Sequence, residues 1–130
     1  MTASSDRDAL LDLATEVAPT YRPNRVDDDH PPTFAVLYPG GHQVTERMLD
    51  GYSFRRRTVH RLMCVGTTED GSRTLANAMV DAIDGIPHED SPWLVLLVSD
   101  PLEDRTDPSD VAWTTTVEIH HHTRSDNAQP

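Results

Sequence analysis

The stretch MCVGTTEDGSRTLANAMVDAIDGI, residues 63–86, decides the fold class. An apolar run opens it, and apolar residues then recur at the spacing of one helix face: Leu75, Met79, Ala82, Ile83 and Ile86. Thr67 or Thr68 can cap this helix, and Gly85 can end it because glycine readily adopts the left-handed conformation that follows many helices. The sequence therefore predicts a strand followed by an amphipathic helix over about residues 69–84.

Two apolar segments outside this unit predict strands that are buried on both faces. FAVLY, residues 34–38, ends at a Pro-Gly-Gly turn, and WLVLLV, residues 93–98, contains no charged side chain. Ahead of the helix, residues 52–65 predict a longer extended segment. One face of that segment carries Val59, Met63 and Val65.

The last segment, residues 111–123, alternates in a way that is typical of a strand with one face in water. One face carries Val111, Trp113, Thr115, Val117 and Ile119. The other face carries Ala112, Thr114, Thr116, Glu118, His120 and His122. Together with a first helix over about residues 6–17, these segments predict an α+β fold, in which a small mixed, mainly antiparallel sheet of about four strands has two helices packed on one face.

The rest of the chain predicts connections and tails. Three segments rich in polar residues, proline or glycine are expected to be a linker or loops: residues 19–33, 42–51 and 99–110. Residues 1–5 and 124–130 have little to bury, and we expect disordered tails there. A chain of 130 residues has room for one domain, which would span residues 1–130.

The charge balance disfavours several classes of partner. The chain has 11 basic against 22 acidic residues, a net charge of −11, and such a surface repels phosphate backbones and anionic lipids. No apolar run approaches the roughly twenty residues that a membrane-spanning helix needs. The amino terminus carries acidic residues where a signal peptide needs basic ones. We therefore expect neither general nucleic-acid binding, nor membrane contact, nor secretion by that route.

The sequence offers no catalytic motif. Two glycines five positions apart, Gly66 and Gly71, lie around the start of the predicted helix as in a phosphate-binding loop, but Ser72 and Arg73 stand where that loop needs lysine and a hydroxyl residue. Glu69 and Asp70 would also repel a phosphate group. Cys64 lies in an apolar run, which predicts a buried thiol. We expect no enzyme activity, no catalytic residues and no cofactor.

Glu118, His120 and His122 form the arrangement that most resembles a metal site. Residues two apart on a strand share a face and lie about 6.5–7 Å from each other, a spacing from which imidazole and carboxylate groups can bind zinc. A strand end close to the terminus holds ligands poorly, whereas catalytic zinc needs preorganised ligands with supporting hydrogen bonds. We therefore expect no metal site.

Arg55, Arg56 and Arg57, followed by Arg61, are the one concentration of basic residues. Strand alternation places Arg55 and Arg57 on one face and Arg56 on the other. Two interpretations stay open: the arginines bind an acidic surface on a second copy of the chain, or they pair with acidic residues of their own chain.

FAVLYPGG at 34–41 and TVHRLMCVGTTEDGSRTLANAMVDAI at 58–83, between an N-terminal helix and a closing alternating strand, resemble the tail terminator proteins of long-tailed bacteriophages, especially those that infect actinobacteria. The resemblance covers about residues 6–122, and its most telling part is MCVG at 63–66 with the acidic-capped helix that follows. It implies an α+β virion protein that forms a ring of six copies at the head-proximal end of the tail tube. Such a ring stops tube polymerisation and joins the tail to the capsid connector, while genomic DNA passes through the bore without specific binding.

On this hypothesis the partners are further copies of the chain, the major tail tube protein and head–tail connector proteins. We place the joint between subunits at Arg55, Arg57, Asp100, Glu103, Asp104 and Asp107, with Asp27 to Asp29 as a substitute acidic surface. We place the contact with the tube or connector at Gly40, Gly41, His42, Gln43 and Arg47. Three other hypotheses remain: another phage neck protein, a host protein that binds a partner protein, and a zinc-dependent enzyme that uses Glu118, His120 and His122.

Overall fold

The computed structural model describes residues 3–40, 42–47, 53–89, 91–105 and 111–126. These residues form two helices, α1 (Ala3–Thr15) and α2 (Glu69–Ile83), and neither is long and apolar enough to cross a membrane. The strands follow in chain order: β1 (Thr20–Tyr21), β2 (Phe34–Tyr38), β3 (His42–Arg47), β4 (Ser53–Gly66), β5 (Pro87–His88), β6 (Ser91–Pro92), β7 (Leu94–Val98), β8 (Leu102–Asp104) and β9 (Ala112–Asp126).

One sheet of seven strands organises the described residues. Its strands lie in the order β1, β2, β4, β9 and β7, with β3 beside β4 and β8 beside β9. β1 pairs with β2 in parallel, the other pairings are antiparallel, and β5 and β6 form a separate two-stranded ribbon. The predicted α+β class with a mixed, mainly antiparallel sheet is confirmed, and short strands such as β1 and β8 raise the number of strands above the predicted four.

The longest strand pairing in this sheet joins β4 and β9. It runs from Ser53 opposite Asp126 to Gly66 opposite Trp113, about 45 Å at the rise of an extended strand. At one end β3 lies beside β4, and the three strands form an extension that we call the arm. The arm comprises β3, residues 53–58 of β4 and residues 121–126 of β9.

Both helices contribute to a core on one face of the sheet. α1 supplies Leu10 and Ala14, and α2 supplies Leu75, Ala76, Met79 and Ile83. The inner face of the sheet supplies Ala35, Leu37, Leu62, Cys64, Val117 and Ile119, and Trp93 is buried with them. Full burial of an aliphatic side chain stabilises the fold by about 1.5–3 kcal/mol, so this cluster fixes which face of each strand is inward.

The predicted helix at 69–84 is confirmed as α2, and both of its ends follow from local chemistry. The Thr68 hydroxyl accepts a hydrogen bond from the backbone N–H of Gly71 at 2.9 Å, which caps the first turn. Gly85 follows the helix with φ of 81°, a conformation that favours glycine. Gly66 lets the start of α2 approach the sheet, because a Cβ there would lie 2.7 Å from the backbone nitrogen of Ser72.

The prediction that residues 93–98 form a fully buried strand is wrong for β7. Leu96, Leu97 and Val98 are 57%, 56% and 40% exposed. In the described chain β7 pairs only with β9, and the pairing is interrupted by an irregularity between Val95 and Leu97. An edge strand with a bulge cannot bury both faces.

Val59, Met63 and Val65 share one face of β4, as predicted. Those three residues are half-buried on the outer face, whereas the inner face carries Thr58, His60, Leu62 and Cys64. Cys64 is fully buried, as predicted. The inner face of β4 therefore combines two polar residues, Thr58 and His60, with two core residues.

Parts of the predicted loops and tails are regular structure. His42–Arg47 forms β3 and Leu102–Asp104 forms β8, because the neighbouring strands β4 and β9 offer edges with which polar segments can pair. Residues 124–126 continue β9, and α1 begins at Ala3, inside the expected tail, and ends at Thr15 rather than at residue 17. Residues 1, 2 and 127–130 lie outside the described chain.

Candidate functional site

The outer face of β9 carries Glu118, His120 and His122, as the alternation predicts. Glu118 Oε1 lies 2.8 Å from His120 Nε2, and Glu118 Oε2 lies 3.8 Å from Nε of Arg61 on β4. The rings of His120 and His122 are 6.5 Å apart between centroids. The carboxylate therefore already bonds an imidazole and faces a guanidinium group, which competes with a metal cation for it.

A different group of metal-binding side chains converges on the inner side of the sheet. Asp6 from the first turn of α1, His88 of β5 and His121 of β9 each place one ligand atom within 4.8 Å of the other two. Asp6 is 2% exposed, His121 is fully buried, and the His88 side chain is 13% exposed. His88 Nε2 and Asp6 Oδ1 lie 2.8 Å apart, so the imidazole donates a hydrogen bond to the carboxylate. These residues join three elements that are far apart in sequence.

The β5–β6 ribbon positions His88 beside β9. Backbone hydrogen bonds join Gly85 N–H to Trp93 O at 2.8 Å and Trp93 N–H to Ile86 O at 2.9 Å, which extends the ribbon from the end of α2. Glu89 has φ of 61° directly after His88, so the chain turns there in the left-handed region. The ribbon thereby points the backbone oxygen of His88 at β9.

Trp93 packs against both imidazoles of the cluster. Its ring stacks on His88 with 4.6 Å between centroids and 16° between planes, and lies 4.8 Å from the His121 ring. Trp93 is fully buried, so it presents an apolar surface to the two rings. Electrostatic interactions are stronger in such a dry environment than in water.

The hydrogen bonds of His121 fix the position of its proton. Nε2 lies 2.8 Å from the backbone oxygen of His88 and 3.3 Å from that of Ser91. Carbonyl oxygens only accept hydrogen bonds, so Nε2 carries the hydrogen. In the described part of the chain, Nδ1 of His121 is buried and has no hydrogen-bond partner. A neutral imidazole with this tautomer presents a lone pair at Nδ1, the kind of atom that binds a metal ion.

The predicted interface residues lie at opposite ends of the β4–β9 ladder. Arg56 pairs with Thr123 in the arm, whereas Glu103 pairs with Trp113. Thr123 and Trp113 are ten positions apart on β9, about 33 Å in an extended strand. Arg55 and Arg57 flank Arg56, so none of these arginines can reach Glu103 or its neighbours in the same chain. The structure brings Glu103 and Asp104 together in β8, leaves Asp100 exposed, and does not describe Asp107.

Basic and acidic residues are concentrated at opposite ends of the β4–β9 ladder. The strands of the arm contain five arginines and two acidic residues. The far end has exposed Asp100, Glu103 and Asp104. Arg105 compensates for part of this charge, since its Nε lies 2.7 Å from Glu103 Oε1.

An exposed apolar edge accompanies the acidic end. Leu96, Leu97, Val98 and Leu102 are between 40% and 69% exposed and lie on two strands, β7 and β8, that both pair with β9. Contiguous exposed apolar side chains are uncommon on monomeric proteins and mark interaction surfaces.

The residues predicted to contact a tube or connector lie around the start of the arm. His42, Gln43 and Arg47 are in β3 rather than in a loop, and Gly41 lies outside the described residues. Gly40 approaches β4 so closely that a Cβ would overlap the backbone oxygen of Val59. Glycine is therefore required at position 40 for packing.

Burial raises the pKa of the Cys64 thiol to about 12. Thiolate is the nucleophilic form of cysteine, so the side chain is unreactive at neutral pH in the folded protein.

Comparison with known proteins was made for families and for curated sequences. No family model matches the chain, and no curated protein matches it.

The sequence interpretation missed the cluster of Asp6, His88 and His121. One signal for it exists: His121 continues the inner face of β9 two positions after Ile119, so strand alternation alone predicts that this imidazole is inward. Asp6 and His88 give no local signal, because they are 82 residues apart and meet only in the folded chain.

Proposed function

We propose that this chain is the tail terminator subunit of a long-tailed bacteriophage, a protein that forms a ring on the head-proximal end of the tail tube. The observation that carries the proposal is the separation of charge along the β4–β9 ladder, with the basic arm at one end and Asp100, Glu103 and Asp104 at the other. A closed ring of identical subunits needs two different and complementary surfaces on each subunit. The two ends of the ladder supply such a pair.

The register of the arm favours an acidic partner. Arg55 lies directly opposite Arg124 in the pairing of β4 with β9. Like charges that face each other across two strands destabilise a sheet. Glu46 of β3 occupies the register position on the other side of Arg55, but arginine remains in excess in the arm. Acidic residues from a neighbouring subunit would balance this excess of arginine.

The apolar edge at the acidic end supports the same joint. Stable interfaces combine an apolar centre with a charged rim. Leu97 and Leu102 can provide that centre, and the acidic residues beside them can provide the rim that selects the arm as partner.

The overall charge fits a ring through which DNA passes. With a net charge of −11, the chain carries enough negative charge to line a bore that repels the phosphate backbone. Genomic DNA could then move through the ring without binding to it.

The test uses the purified full chain and the tail tube protein of the same phage. Electron microscopy and native mass spectrometry should show rings, and these should bind one end of growing tubes and stop their elongation. Rings that leave tube growth unchanged would point to another neck protein, and a chain that stays monomeric with and without tubes would overturn the proposal.

A further inference from the structure

We propose that Asp6, His88 and His121 form a binding site for a divalent transition-metal ion, for which Zn²⁺ is the first choice. The site is independent of the proposed function in the phage tail. Two imidazoles and one carboxylate are a common donor set for zinc, and all three side chains are at least largely buried here. Softer thiolate ligands are absent from the group, and hard cations such as Mg²⁺ prefer sites built from oxygen.

The hydrogen bonds of His121 match those of a metal ligand. Imidazoles that bind metals almost always donate their other N–H group to a carboxylate or a backbone carbonyl, which fixes the tautomer and the ring orientation. His121 donates from Nε2 to the backbone oxygen of His88, and its buried Nδ1 has no hydrogen-bond partner among the described residues. A buried polar atom without a partner costs free energy, and a metal ion would remove that cost.

Asp6 and His88 provide the remaining ligands, and a hydrogen-bonded hydrogen atom already lies between them. The proton of the 2.8 Å hydrogen bond from His88 Nε2 to Asp6 Oδ1 lies where a cation is stabilised by the carboxylate. A metal ion would bond Nε2 of the neutral His88 imidazole in place of this hydrogen, which would move to Nδ1 of the same ring.

The site must adjust slightly around the ion, and Asp6 Oδ1 and His88 Nε2, which lie 2.8 Å apart, must move apart. Ligand atoms that bind one tetrahedral zinc at about 2.0–2.1 Å lie about 3.4 Å from each other, whereas the present atoms lie within 4.8 Å. No pair of ligand atoms has to change its separation by more than about 1.4 Å. His88 can contribute to this change because it lies on the short β5–β6 ribbon and is the most exposed of the three ligands.

A metal ion at this site would tie three elements together. Asp6 belongs to α1, His88 to the ribbon that follows α2, and His121 to β9. The ion would therefore act as a structural cross-link between the N-terminal helix and the sheet, and it should raise the melting temperature of the protein.

The experiment measures Zn²⁺ binding to the untagged full chain after removal of metals with a chelator. Calorimetry should give one Zn²⁺ per chain, Mg²⁺ should not bind, and Co²⁺ should produce the visible absorption of a tetrahedral site. Asp6→Asn, His88→Gln and His121→Gln should each weaken Zn²⁺ binding by about tenfold or more. His122→Gln is the matched control, because it removes an exposed imidazole from the next position on the same strand, and it should leave the affinity unchanged.

A direct readout on the unmodified chain covers the case in which a ligand variant does not fold. Zn²⁺ should shift the imidazole nitrogen resonances of His88 and His121, and those of His122 should stay in place. The proposal is overturned if the folded chain binds no stoichiometric Zn²⁺, if His122→Gln weakens binding as much as the ligand variants do, or if the resonances of His88 and His121 do not respond.

Discussion

The hydroxyl groups of Ser72 on α2 and Thr115 on β9 lie 3.0 Å apart, and both residues are fully buried. The Ser72 hydroxyl also lies 3.0 Å from the backbone oxygen of Glu69, which can only accept a hydrogen bond. Both contacts are satisfied when Ser72 donates to Glu69 and Thr115 donates to Ser72. This chain of hydrogen bonds joins the first turn of α2 to the centre of the sheet.

Because Thr115 donates to Ser72 and Ser72 donates to Glu69, substitutions of the two hydroxyl residues should lower the free energy of unfolding by different amounts. Ser72→Ala leaves the buried Thr115 hydroxyl without its acceptor and should lower the free energy of unfolding by about 1–3 kcal/mol. Thr115→Val removes the donor but leaves the Ser72 bond to Glu69, so its cost should be smaller, about 1 kcal/mol. Urea denaturation measures both.

The double variant completes this test. Because Ser72→Ala and Thr115→Val together leave no unpaired hydroxyl, the loss in the double variant should be smaller than the sum of the single losses. Additive losses would show that the two hydroxyls do not interact.

Stability should fall at alkaline pH because of Cys64. Burial raises the pKa of its thiol from 9.0 to about 12, which means that the fold favours the neutral form. The corresponding stabilisation is fully present below pH 9 and is lost progressively as the pH rises from 9 to 12. At pH 10 the loss should be on the order of 1 kcal/mol.

Cys64→Ala provides the control for that prediction. Tyrosine also ionises in this range, so the relevant quantity is the difference in pH dependence between the two proteins. The variant is expected to be less stable at pH 7 because it loses a buried sulfur, yet to lose less stability between pH 7 and pH 10. Equal pH dependence in both proteins would contradict the assignment to Cys64.

The elements that the sequence predicts well are those with strong local signals. α2 has a cap, an apolar stripe and a terminating glycine, and FAVLY has five apolar residues between turns, so both are predicted within one residue of their ends. β3 and β8 are polar and have no such signal. They are strands because β4 and β9 offer them free edges, which is a tertiary cause that no local pattern contains.

The candidate sites show the same limit. Strand alternation correctly places Glu118, His120 and His122 on one face, but it says nothing of Arg61, which reaches Glu118 from the neighbouring strand. The convergence of Asp6 and His88 depends on how α1 and the β5–β6 ribbon meet. Only the folded chain shows it.

Substitution of the two outer-face histidines should have unequal effects on stability. The sequence predicts an exposed strand-end face, on which His120→Ala combined with His122→Ala leaves folding and assembly nearly unchanged, but His120 is only 5% exposed and bonds Glu118. We therefore expect His120→Ala to cost about 1–2 kcal/mol and His122→Ala, at an exposed position, less than about 0.5 kcal/mol. Thermal unfolding of the two single variants measures this difference, and equal losses would mean that the bond from His120 to Glu118 contributes nothing.

The apolar edge should matter for assembly more than for folding. Leu97 and Leu102 are 56% and 69% exposed, so Leu97→Gln combined with Leu102→Gln should change the free energy of unfolding by less than about 1 kcal/mol. In the ring these side chains would be covered, so the same variant should weaken ring formation. Ile86→Gln, at another exposed apolar residue, is the control and should leave ring formation unchanged.

Reversal of charge in the arm should break the ring without unfolding the subunit. Arg55→Glu with Arg57→Glu places acidic residues where the neighbouring subunit is proposed to present Glu103 and Asp104. Like charges at such a joint weaken it by several kcal/mol, so analytical ultracentrifugation should show monomers, and phage that carry the change should have overlong tails. Arg22→Glu with Arg25→Glu changes the net charge by the same amount outside the arm and should assemble normally.

Charge reversal on the acidic side of the proposed joint tests which residues of neighbouring subunits meet there. If the arm contacts β8 of the next subunit, Glu103→Arg with Asp104→Arg should by itself weaken the ring, and a protein that carries all four substitutions should recover it. The register positions of Arg56 and Glu103 are about 33 Å apart in one chain, so pairing within a subunit cannot produce such a rescue. Rings that form equally well from the Arg55 and Arg57 variant at physiological salt would show that these arginines do not make the joint. Failure of the rescue, with both double variants monomeric, would instead direct the search to the other acidic surface, Asp27 to Asp29.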